Sequence, residues 1–100
     1  MMAKLSQKKQ MHADAVLVSG TITNFIMNNM VESMVRANVS DNDIFKAITQ
    51  TKKRIQMLER FAPNDLSKDM VDESTTWFDY YGQTWLDECR AEIEAENEAA

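Results

Sequence analysis

The 100-residue chain holds one proline, two glycines, one cysteine and one histidine. So few chain breakers leave little material for turns and point to long helices with few connections. A lone cysteine excludes an intramolecular disulfide framework and a cysteine-rich metal ribbon. A lone histidine removes most zinc sites and nearly every histidine-based catalytic scheme. Long apolar runs are missing too: no segment approaches the roughly 18 apolar residues that span a bilayer. Lys4, Lys8 and Lys9 mimic a signal-peptide n-region, but the apolar run after them is only Ala15 to Val18, with Asp14 at its edge. That run is too short for export, so a cytoplasmic setting is expected.

What is present suits a folded chain, with 44% hydrophobic and 27% charged residues. The length fits a single helical domain over residues 1–100, with 1–5 and 97–100 expected to fray. The net charge of −5 conceals a strong segregation. Residues 1–12 carry +3, 13–43 carry −3, 44–60 carry +4 and 61–100 carry −9. Such blocks are either matched between helices inside the molecule or form a surface field aimed at a partner.

The clearest element covers residues 41–62. Ser40 is a good N-cap, and Asp41 and Asp43 suit the positive end of a helix. Ile44, Ile48, Ile55, Leu58 and Ala62 then form a helical core stripe, and Pro63 ends it. In the first segment, about Ser6 to Ala37, Met11, Ala15, Val18, Ile22, Phe25 and Ile26 share one face. Met27, Met30, Val31, Met34 and Val35 spread the apolar surface further round, and a helix apolar on several sides needs several neighbours. A β-hairpin over 15–25, turning at Ser19-Gly20, competes with this helix; an isolated hairpin is marginal in water, and the helix is preferred. Gly20 then becomes a kink or a close-contact point.

The last segment starts at Asn64, a plausible N-cap. Leu66, Met70, Trp77, Tyr81, Trp85, Cys89 and Ile93 are mostly four apart, a spacing that drifts round a straight helix. A break near Ser74-Thr75-Thr76 would correct the drift, giving a short helix and a longer one from about Thr75 to Glu96. The expected fold is therefore all-α, a small bundle or helical hairpin of three to four helices. Met27, Met30 and Met34 are the expected seam of a homo-oligomer through the first helix.

Catalysis has thin support. Cys89 and His12 lie far apart in the chain, and Asp79, Asp87 and Glu88 read as solvated carboxylates. No Gly-rich phosphate cradle or paired metal-ligand motif is present, so no enzyme activity, metal or cofactor is expected. The most distinctive stretch is TTWFDYYGQTWLDE, which holds five of the eight aromatics, followed by Glu88, Glu92 and Glu96 at successive fourth positions. Like charges at that spacing weaken a helix unless something cationic answers them.

The leading expectation is a non-enzymatic inhibitor or adaptor. It would hold a basic site on a protein partner through Tyr80, Trp85, Asp87, Glu88, Glu92 and Glu96, with Tyr80 lying off the apolar stripe and exposed. The alternative is a nucleic-acid-binding or assembly protein using Lys46, Lys52, Lys53, Arg54 and Arg60, of which Lys46, Lys53 and Arg60 recur every seven residues. A third reading is a structural homo-oligomer. No membrane partner is expected.

Overall fold

The computed structural model describes residues 2–99, with side chains described from residue 7 onward. Among the described residues there are three α-helices and no strand: α1 Met2–Arg36, α2 Asp41–Met57 and α3 Asp65–Ala99. A 3-10 turn, Leu58–Phe61, follows α2. The fold is an all-α bundle, and the hairpin alternative at 15–25 is replaced by uninterrupted helix.

The connections follow from local chemistry. Asn38 adopts a left-handed backbone with φ 60°. Its N–H donates to the Val35 carbonyl and the Val39 N–H to that of Met34, each at 3.0 Å. This is a Schellman closure, in which asparagine stands in for the usual glycine. Two residues later Ser40 caps α2, its hydroxyl accepting from the Asp43 N–H at 3.2 Å. Asn64 caps α3 in the same way, accepting from the Ser67 N–H at 2.8 Å. Between them Pro63 keeps the tightened end of α2 from running on.

Cross-helix contacts fix the directions. His12 meets Asp69, Asn24 meets Trp85 and Arg36 meets Glu96. These rising pairs make α1 and α3 parallel. Asp41 pairs with Arg90 and Lys52 with Asp79, so α2 runs antiparallel to α3. α3 is the common partner of the other two helices, which meet each other little.

Met27, Val31, Ile44, Ile48, Phe78, Trp85, Leu86 and Cys89 form the buried core. Burying each large apolar side chain contributes about 1.5–3 kcal/mol. Phe78 and Trp85 meet edge to face at 5.3 Å, the arrangement that ring quadrupoles favour.

Two expectations about α3 are corrected. There is no break at 74–76, because Thr75 and Thr76 turn their hydroxyls back onto the Asp72 carbonyl and Ser74 packs inward. The core of α3 is drawn from two rows, Ser74, Phe78, Gly82 and Leu86 on one and Trp85 and Cys89 on the other, so the buried side chains of an unbroken helix stay on one side.

Candidate protein-binding surface

The outward side of α3 follows from its inward one. With Ser74, Phe78, Gly82 and Leu86 facing the bundle, residues roughly half a turn away must face solvent. Glu73, Tyr80, Asp87 and Glu94 are spaced seven apart and form one ridge on that side. Tyr80, at its middle, is 75% exposed. Asp87 is exposed and accepts from the Gln83 amide at 2.9 Å, which leaves its second oxygen open to solvent. Glu73 is half-buried because it accepts the Trp77 indole N–H at 3.0 Å.

Glu88 and Glu92 are exposed on a neighbouring row of the same helix. Among the described residues neither joins an ion pair. Glu96 does: both its oxygens accept from Arg36 at 3.0 Å, and the same guanidinium bonds Glu32. These two carboxylates, Glu32 first, push the Arg36 pKa up from its ordinary value.

Trp85 does not belong to this surface. It is 1% exposed, its ring lies on Phe78, and its indole N–H donates to Asn24 Oδ1 at 2.6 Å. A side chain enclosed on all sides cannot meet a partner without opening the core, so the expectation of Trp85 as a contact is overturned. Glu73 and Glu94 take their place beside Tyr80 and Asp87. Their seven-residue spacing was visible in the sequence, but which face pointed outward was not.

Among the cations, Lys52 is drawn onto Asp79 at the α2–α3 boundary. Lys46, Lys53, Arg54 and Arg60 are exposed and make no ion pair among the described residues. The basic stripe therefore does not clasp Glu88, Glu92 and Glu96. The acidic and basic blocks both face outward.

No protein-family profile, curated protein or solved structure matches this chain.

The groups with the most chemical potential are kept apart. Cys89 is buried, with its thiol directed at Asn28, while His12 sits beside Asp69. Positions 12 and 28 of α1 are separated by about 24 Å along the helix axis. No group of three or more potential metal ligands occurs among the described residues. Burial raises the Cys89 pKa, and Glu32, Glu92 and Glu88 raise it further.

The expected oligomer seam is also corrected. Met27 is buried in the core, and Met30 and Met34 pack against it. The apolar surface left uncovered on α1 lies elsewhere, at Met11, Val18, Ile22, Phe25 and Ile26.

Proposed function

We propose that this protein works by binding, docking the acidic outward side of α3 onto a basic protein surface as an inhibitor or adaptor. The observation that carries the reading is Tyr80: a large ring, three-quarters exposed, on a ridge with Asp87 and Glu94, neither of which joins an ion pair among the described residues. Asp87, Glu88, Glu92 and Glu94 supply long-range attraction, and the Tyr80 ring supplies short-range energy once water is excluded. Arg36 holds Glu96 at the edge of this field.

Capture from the native host with the intact protein, run beside Tyr80→Ala and Asp87→Asn/Glu88→Gln/Glu92→Gln, tests this. The reading requires a basic protein that is retained by the parent and lost by both variants. Retention unchanged in both would remove it.

A second reading has one observation of its own. Lys46, Lys53 and Arg60 lie exposed on the outer side of α2 and join no ion pair among the described residues, a row that could follow a phosphate backbone. Titrating an RNA or DNA oligonucleotide at low and high salt decides it. Salt-sensitive binding abolished by Lys53→Ala/Arg60→Ala would favour nucleic acid as the partner, whereas no binding at low salt rejects it.

A further inference from the structure

The outer face of α1 reads as a heptad seam. Met11, Ala15, Val18, Ile22, Phe25 and Asn29 follow one another at intervals of four, three, four, three and four. Ala15, Ile22 and Asn29 take the a positions of a coiled coil, and Met11, Val18 and Phe25 the d positions. The opposite f positions are Ala13, Gly20 and Met27, of which Gly20 and Met27 are buried. The stripe therefore points directly away from the bundle. Phe25 is 70% exposed and Met11 72% exposed, with Ile26 beside them at 60%.

The ends of the stripe carry opposite charges. One heptad step before Ala15 stands Lys8, and one after Phe25 stands Glu32. Turning a second copy of α1 end for end about a two-fold axis beside Gly20 sets Val18 against Ile22 and Ala15 against Phe25. The same operation sets Met11 against Asn29 and Lys8 against Glu32. Every layer then pairs an a with a d position, as antiparallel coiled coils require. The smallest seam residue faces the largest, and Lys8 faces Glu32, whose carboxylate also accepts from Arg36. A parallel pairing would instead stack Phe25 on Phe25, Lys8 on Lys8 and Glu32 on Glu32. Along the flanks Asp14 faces Asn28, so no like charges meet there.

We infer that α1 is the dimerisation element of this protein, joining a second copy as an antiparallel two-helix seam through Met11, Val18, Ile22, Phe25 and Ile26.

The surface available matches that occupant. These five side chains expose on the order of 600 Å² of apolar surface, the upper end of what a monomer normally shows in one patch. Two copies would bury up to about 1,200 Å², the lower bound of specific interfaces. The single chain is also extended, with a radius of gyration of 16.9 Å. A compact chain of this length has about 13 Å. Pairing along α1 would cover an apolar flank that stays exposed among the described residues. The seam is separate from the α3 ridge and does not depend on what that ridge binds.

Sedimentation equilibrium of the full chain between about 1 and 100 µM tests the inference, a span that brackets interfaces of this size. A monomer–dimer equilibrium is expected. Ile22→Asp/Phe25→Asp should remain monomeric throughout, with an unchanged helical circular dichroism spectrum because both side chains are outside the core. Orientation is read from charge exchange: Lys8→Glu or Glu32→Lys alone should weaken the dimer about tenfold, and the two together should restore it. A chain that stays monomeric at the highest concentration overturns the inference. So does a dimer insensitive to Ile22→Asp/Phe25→Asp. A dimer weakened by each single exchange but not rescued by the pair overturns the antiparallel register.

Discussion

Gly20 and Trp77 occupy each other's space: a Cβ placed on Gly20 would lie 2.1 Å from the Trp77 indole nitrogen. α1 and α3 approach closely here, which explains a glycine in the middle of a long helix. Trp77 has little freedom to retreat, because its indole N–H donates to Glu73 and its ring lies 4.8 Å from that of Tyr81. Alanine in place of glycine gains roughly 1 kcal/mol of helix propensity, but overpacking typically costs about 1–3 kcal/mol. Gly20→Ala should therefore lower the unfolding free energy, by up to about 2 kcal/mol. In a Trp77→Ala background the same substitution should become neutral or stabilising, which a double-mutant cycle by urea denaturation will show.

The buried Trp85 indole N–H donates to the half-buried Asn24 side-chain oxygen. Removing that acceptor leaves a buried N–H without a partner. Asn24→Ala should cost about 1–3 kcal/mol, with Trp85 fluorescence reporting the altered surroundings. Asn24→Asp, which keeps an acceptor oxygen, should be milder.

Tyr80 and Trp85 are five residues apart on one helix with opposite fates. Trp85→Ala removes a buried ring and should destabilise by about 3–5 kcal/mol, while Tyr80→Ala should move stability by no more than about 0.5 kcal/mol. Thermal melts of the two variants separate a core residue from a contact residue. A large loss from Tyr80→Ala would mean that its ring supports the fold.

Cys89 should be a slow thiol. Burial, followed by the Glu32, Glu92 and Glu88 carboxylates, holds its pKa above the ordinary value. A raised thiol pKa keeps the folded state protonated where the unfolded chain ionises. Its contribution to stability is therefore complete below the unfolded pKa of about 8.5 and declines as pH rises above it. Dithionitrobenzoate at neutral pH should label the unfolded chain rapidly and the native chain slowly. Cys89→Ser should flatten the fall in stability on the alkaline side.

The sequence was most readable where chemistry is local. Ser40, Asn64 and Pro63 mark helix ends by their own side chains, and each acts as its residue type dictates. The all-α class followed from the scarcity of glycine and proline. What could not be read was the orientation of a helix carrying two competing apolar rows. Trp77, Tyr81 and Trp85 announce one row, Phe78, Gly82 and Leu86 another, and only packing against Ile48 and Met27 selects between them. Gly82 gave no apolar signal, yet it is the position where Ile48 approaches α3, 3.8 Å from where a Cβ would stand. The same ambiguity hid Trp85 inside and left Glu73 and Glu94 unremarked on the outer ridge. On α1 the methionines drew attention as a seam, but Met27 is filling the core while the branched and aromatic side chains opposite it stay uncovered.

The outward field of α3 is tested most directly by the association rate with the captured partner, measured by stopped flow across a range of ionic strength. The parent should associate fast at low salt and slow steeply as salt rises, and Asp87→Asn/Glu88→Gln/Glu92→Gln should lower both the rate and its salt slope. Equal rates and equal slopes for the two proteins would show that these carboxylates steer nothing, contradicting the account.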